Sequence, residues 1–382
     1  MFAFTLGAAI LPLMNPASSW RQYVAAGGVV FASLAGLATG SSSAAAASTA
    51  APATTPAVAR EDHAPRKVLL GTVVGGYEVY KQPLAERFGL MDALVDQIAS
   101  EARNRYPGKR LDLVVLPEFF LAQPGTTLAQ KTVRLEDVRQ RIGACAKQHG
   151  CYLVVPLLMR EETPPLRYSN AAVLVDRSGI VQGIYRKVHP VAPQQSDNLE
   201  DGTSPGREFP VFDCDFGRVG IQICFDMSYD DGWTSLARQG AEIVALPSAS
   251  PGSARPSAFA LQHNYYIISA TPRDRAAVFS PLGLIEAQAT QEGTVLVHQI
   301  DLSYALLNWE EVLEDGQALS RRFGDKVGFH YYRAEDEGIF WSNDDAMSIG
   351  QMIRSLGLTG VDANLERIRA LQDRVRGGPP VQ

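Results

Sequence analysis

From Lys67 onward the chain alternates short runs of β-branched and other apolar residues with stretches of helical period. Strands that are apolar on both faces need cover on both faces, and an α/β layer architecture supplies it. KVLLGTVV (67–74), LDLVVL (111–116), CYLVVPLLM (151–159), AEIVALPS (241–248) and YYIISA (265–270) read as buried strands. Between them, Leu84–Tyr106 carries Leu90, Leu94, Ile98 and Ala102 at spacings near four, and Val133–Gln148 is helical by period with Gly150 as its stop. AAVLVD with GIVQGIYRKV, and PVFDCD with RVGIQIC, read as two hairpins turning at Arg177-Ser178-Gly179 and Phe216-Gly217. GTVLVHQID closes a β-rich core near Asp301. The last segment is more polar and is expected to be helical over 350–356 and 361–375.

The first 60 residues differ in kind. They hold 18 alanines, and their only charges are Arg21 and Arg60. Tyr23–Ala38 is an apolar run preceded by Arg21 and followed by small-residue sites such as Ala45-Ala46-Ala47, the order of a secretory signal. The run is short and diluted by glycine for a stable span, so export to the periplasm or cell exterior is expected, with no stable membrane insertion once the leader is removed. An uncleaved anchor, a cytoplasmic product and a true start at Met14 stay open as alternatives. The division is therefore 1–64 leader and Ala/Ser/Thr/Pro linker, 65–301 main domain, and 302–382 a C-terminal extension packed on the domain or at a subunit contact.

Several function classes are excluded. With 35 basic against 41 acidic residues and no basic run, the chain lacks the footprint of a nucleic-acid binder. Four cysteines in 382 residues are too few for a disulfide scaffold, and neither they nor the histidines show metal-ligand spacing. No glycine pattern carries the spacing of a dinucleotide or phosphate loop.

Polar residues just past the C-terminal ends of buried strands tend to line the cleft of an α/β protein. Glu118 follows LDLVVLP, Lys187 ends GIYRK, and Cys224 ends RVGIQIC. The chemistry these three could perform is intelligible from the residues. A thiol with a pKa near 8.5 needs a base or a neighbouring cation before it attacks an amide carbon, and a carboxylate and an ammonium provide them.

In this order, the three motifs VVLPEFF, IYRKVHP and VGIQICFD resemble those of the carbon-nitrogen hydrolase (nitrilase) superfamily. The flanks RYSNAAVLVDRSGIVQGIYRKVH and GAEIVALPSAS resemble it too, and the likeness runs from Lys67 to Asp301. It implies a four-layer α-β-β-α sandwich that pairs through helices into a homodimer or higher homo-oligomer. It also implies a Cys224 nucleophile, Glu118 as proton shuttle, and an oxyanion site from the Lys187 ammonium and the Phe225 backbone N–H. No cofactor or metal is called for, and the substrate is a small molecule of amide type.

Many members have a second glutamate between the Lys and the Cys. Glu200 is the best match in placement, with Glu161 and Glu162 as weaker alternatives. Phe-Asp after the cysteine resembles the amidase and carbamoylase branches, whereas nitrilases commonly show Trp-Glu. CFDMSYDDGW lacks the common Arg-Phe-Pro-Glu-like run, which leaves substrate contacts there undefined. Nitrile hydrolysis, acyl transfer and a non-catalytic binding role are the competing readings.

Overall fold

The computed structural model describes residues 59–162 and 164–377. The leader and linker expected over 1–64 lie outside them up to residue 58; the end of the expected linker is ordered instead, because Arg60–Asp62 form a 3₁₀ turn held by Arg60 over the Tyr304 ring and by the Asp62–Arg354 ion pair. The strands named from sequence all form. β1 (Lys67–Val73), β2 (Leu113–Val115), β3 (Tyr152–Glu161), β4 (Arg167–Val175) and β5 (Val181–Arg186) belong to one sheet. β6 (Val211–Cys214), β7 (Gly217–Ile221), β8 (Ile243–Pro247), β9 (Tyr266–Ala270), β10 (Ala276–Phe279) and β11 (Ile285–Ala289) form a second, in the order β11-β10-β9-β8-β7-β6. β12 (Val295–Asp301) returns to pair antiparallel with β1, giving the first sheet the order β12-β1-β2-β3-β4-β5.

Period-two burial explains the layering. In β1, Val68 and Leu70 enter the core between the two sheets, while Leu69 and Val73 face helices. Those helices are α1 (Leu84–Arg105) and, past the single turn α2 (Leu128–Lys131), α3 (Leu135–His149). α1 buries Met91, Leu94, Val95, Ile98 and Ala102, one stripe at helical spacing. α3 stops at Gly150, whose φ of 60° is left-handed. On the far side, α4 (Asp231–Arg238) and α5 (Ala254–His263) cover the second sheet with Trp233, Leu236 and Ala260 against Val244, Ile267 and Phe279. The result is the α-β-β-α sandwich.

Helix α1 approaches β1 at Gly71, where an added Cβ would fall inside van der Waals contact with the Ile98 side chain. Glycine is required there by space, not by φ.

β1, β2 and β3 run parallel, β4 and β5 alternate with them, and β7, β8 and β9 run parallel in the second sheet. The C-terminal ends of β2, β3 and β5 therefore share one edge of their sheet. That edge receives Glu118 and Lys187.

The C-terminal extension corrects the expectation of a helical segment. It contains α6 (Gln317–Phe323), α7 (Ile349–Arg354) and α8 (Val361–Arg376), but also an antiparallel sheet of β13 (Tyr304–Asn308), β14 (Val327–Tyr332) and β15 (Glu337–Ser342) in the order β13-β15-β14. Its own core joins Ala305, Leu307, Leu313, Val327, Phe340 and Met352. Glycines at 328 and 338 break the apolar alternation of β14 and β15, which hid them from a periodicity reading. The acidic run Glu335-Asp336-Glu337 lies at the turn of this hairpin, where Asp336 has a φ of 52°.

Candidate active site

Glu118, Lys187 and Cys224 meet at the strand ends. Glu118 follows β2 by two intervening residues, Leu116 and Pro117. Lys187 is the first residue past β5. Both are buried at 1% exposure, and the Lys187 ammonium donates to Glu118 Oε1 at 2.9 Å. Two ions removed from water at this depth persist only when they are paired and further hydrogen bonds support the pair. Glu118 Oε1 also accepts from Asn170 Nδ2 at 2.7 Å, and Oε2 accepts from the Ala249 backbone N–H at 2.7 Å.

Glu200 completes the group. Its Oε1 accepts from Lys187 Nζ at 2.5 Å and from Val191 N–H at 3.1 Å, and its Oε2 accepts from Asn170 Nδ2 at 3.0 Å. The weaker sequence candidates lie elsewhere: Glu161 pairs with Arg186 at 2.5 Å and Glu162 with Arg160 at 2.9 Å. Burial alone would pull the Lys187 ammonium toward neutrality. Glu118, and then Glu200, outweigh it and hold its pKa well above the usual lysine range.

Cys224 opens a 3₁₀ turn, Cys224–Ser228, that follows β7 after Gln222 and Ile223. Its φ is 45°, a left-handed conformation uncommon for a residue with a Cβ, and non-glycine residues held there cluster at functional sites. The thiol is close enough to Glu118, Lys187 and Ser248 for each of them to move its pKa. Burial, then the Glu118 charge, push its pKa up to about 12 against the opposing pull of Lys187. At neutral pH the sulfur therefore keeps its proton. Phe225, whose backbone N–H follows the thiol, is half-buried in the same turn.

Three supporting residues escaped the sequence reading. Asn170, on β4, bridges both glutamates; its signal was the Tyr-x-Asn of RYSN. Arg87, on α1, is buried without a carboxylate partner among the described residues. Its guanidinium donates to the carbonyls of Tyr80, Gln82, Phe119 and Phe120, fixing the turn after Glu118 where Phe119 has a φ of 61°. Tyr80 donates its hydroxyl to the Glu118 carbonyl at 2.8 Å. An arginine or tyrosine inside an amphipathic stretch gives no sequence cue of this kind. Among the described residues no group of three or more His, Cys, Asp or Glu side chains is arranged to hold a metal ion.

A model of the carbon-nitrogen hydrolase family matches residues 75–306. The chain belongs to that family. Among relatives of the carbon-nitrogen hydrolase chain, omega-amidase NIT2-A of Xenopus laevis is 28% identical over 252 residues, covering 57% of this chain and 89% of the relative. Omega-amidase NIT2 of Homo sapiens is 27% identical over 217 residues, covering 50% and 76%. The fold is similar to that of Saccharomyces cerevisiae Nit3, a member of branch 10 of the nitrilase superfamily, with 20% identity, a TM-score of 0.52, and coverage of 62% of this chain and 90% of that one. It is also similar to an amidase from Nesterenkonia sp. AN1 bearing the acetamide moiety of fluoroacetamide at its active site cysteine, with 20% identity, a TM-score of 0.50, and coverage of 65% and 94%. Glu118, Lys187, Glu200 and Cys224 all fall within the family match, and β14, β15 and α8 lie beyond it.

Removing the cation from this carbon-nitrogen hydrolase leaves two buried carboxylates sharing one asparagine. Lys187→Met is expected to destabilise the fold by about 3–5 kcal/mol. Urea denaturation at neutral pH checks this, and a loss below about 1 kcal/mol would show that the pair is not the buried ion pair described.

Proposed function

We propose that this chain hydrolyses a small, non-peptide amide through a thioester on Cys224, with Glu118 and Lys187 as its partners. The observation that carries the reading is the buried Glu118–Lys187 pair beside a thiol on a left-handed turn. Omega-amidase relatives support amide over nitrile as the substrate class.

The sequence of events follows from the charges. Because Cys224 keeps its proton at rest, attack and proton transfer are coupled: Glu118 takes the thiol proton as the sulfur bonds to the amide carbon. The carbonyl oxygen gains negative charge and is met by the Lys187 ammonium and the Phe225 N–H. Lys187 has three donors, of which Glu118 and Glu200 take two, leaving one for this oxygen. Collapse breaks the C–N bond while Glu118 passes its proton to the leaving amine. Glu118 then takes a proton from water, the hydroxide equivalent attacks the thioester carbon, and the carboxylic acid departs as the sulfur regains a proton. Glu200 keeps Lys187 charged and oriented. These residues perform every step.

The test is ammonia release over a panel of small primary amides, carbamoyl amines and nitriles. Amides are expected to turn over, and Cys224→Ala is expected to lose activity by more than about 10³-fold while the fold remains. Residual turnover near wild type in Cys224→Ala would overturn the mechanism. Because Glu118 takes the thiol proton during attack, kcat/KM is expected to stay flat between about pH 7 and 9; the tenfold rise per pH unit that a pool of free thiolate would give, for a thiol pushed up to about 12, would contradict the coupled step.

Export belongs to the same proposal, as do homo-oligomers. The leader-like residues 1–64 support export, with the mature chain beginning after about Ala47. N-terminal sequencing of the fractionated native protein reads this directly; a cytoplasmic product retaining Tyr23–Ala38 would overturn export and leave the hydrolase reading untouched.

A further inference from the structure

Lys187 and Cys224 come from different sheets, so their relative placement depends on whatever ties the end of β5 to the end of β7. One fully buried carboxylate makes that tie. Asp226 lies two residues after Cys224 at 0% exposure. Its Oδ2 accepts from the Ile223 N–H at 2.8 Å and from the Tyr185 hydroxyl at 2.8 Å. Its Oδ1 accepts from the His189 N–H at 3.0 Å and faces His189 Nδ1 at 3.0 Å. Thus Asp226 holds the residue before Cys224 and the residues two before and two after Lys187, Oδ2 bridging Ile223 and Tyr185 while Oδ1 takes His189.

His189 is held as firmly. Its ring stacks on Tyr229 with centroids 4.0 Å apart, and its Nε2 lies 3.3 Å from Asp231 Oδ2. Asp226 is fixed in turn by the Trp233 indole, which donates to its backbone carbonyl at 3.1 Å. A left-handed Cys224 persists only where its surroundings over-determine it, and this set of bonds does so from both sides of the turn.

We infer that Asp226 and His189 are positioning residues: together they strap the Lys187 segment to the Cys224 turn and set the approach of the thiol to the ammonium and to Glu118. The inference rests on the hydrolase reading and deepens it. Neither side chain exchanges a proton with substrate in the mechanism. Their effect runs through geometry, and a misplacement near 1 Å at a reacting pair is enough to slow chemistry by about 10²-fold.

The groups facing His189 are Asp226 and Asp231, both carboxylates, with Tyr229 and Phe209 against its ring. The hydrogen bond to Asp226 outweighs burial and raises the His189 pKa above its ordinary value, so the strap is strongest in the acidic part of the working range and weakens as pH rises through the raised value.

The experiment uses the full-length protein and four variants: His189→Ala, His189→Asn, Asp226→Asn, and His189→Ala with Asp226→Asn. Two rates are read in each, kcat and KM on an amide that wild type turns over, and the second-order rate at which iodoacetamide modifies Cys224, both normalised to folded protein by melting curves. His189→Ala is expected to lower kcat by about 10- to 100-fold with KM within about threefold. His189→Asn, whose amide can still donate toward Asp226, is expected to recover at least part of that loss. The double variant is expected to be no worse than the weaker of its parents, because the two residues act as one unit. Alkylation of Cys224 is expected to slow in His189→Ala and to recover in His189→Asn.

Wild-type kcat and alkylation in His189→Ala, an Asn variant no better than Ala, or additive losses in the double variant would each overturn the strap. The hydrolase reading fails separately, by absence of amide turnover in wild type. The alkylation series then still decides the strap, because it reads the thiol without a substrate.

Discussion

A lysine ammonium enclosed between two carboxylates, away from water, is the interaction on which the rest of this structure depends. An unpaired ion would be costly at that depth; here Lys187 donates to both Glu118 and Glu200, and Asn170 and two backbone N–H groups donate to the same two carboxylates. The arrangement fixes three separate strand-end segments at once. The sulfur beside it is buried too: burial first, and then the Glu118 charge, make the resting thiol a poor acid despite the Lys187 cation, so it must be deprotonated in the act of attack.

The sandwich serves that cluster. Two parallel-rich sheets present their C-terminal strand ends at a common edge, and helices α1, α3, α4 and α5 bury the outer faces so that the strands can be apolar throughout. Polar groups are then expelled to the edge, where the backbone leaves the core. Arg87 illustrates the coupling between layers. It sits on a helix of the outer layer, yet its guanidinium holds the carbonyls of Phe119 and Phe120, immediately beyond Glu118.

Much of this was legible in the sequence because it rests on local signals. The strands and helices of the sandwich announce themselves by apolar runs and helical period, and Glu118, Lys187 and Cys224, each bland alone at a strand end, stand out because VVLPEFF, IYRKVHP and VGIQICFD come in the order of the carbon-nitrogen hydrolase family. Glu200 could only be placed as a candidate: its approach to Lys187 depends on a loop residue with a φ of 37°, which no spacing encodes. Asp226 was invisible as a tether, since an acid two residues after a cysteine looks the same whether it faces water or accepts bonds from Tyr185, Ile223 and His189. The C-terminal sheet was missed because glycines within β14 and β15, and the charges at their turn, dilute the period-two pattern that marks a strand.

The central claim is that the amide carbon becomes bonded to the Cys224 sulfur. Rapid acid quench of the wild-type protein during turnover of a small primary amide, followed by peptide mapping by mass spectrometry, observes that bond. The account predicts a transient acyl group on the peptide containing Cys224 that appears and decays at rates consistent with kcat. Steady turnover with no adduct, or an adduct on any other residue, would contradict it.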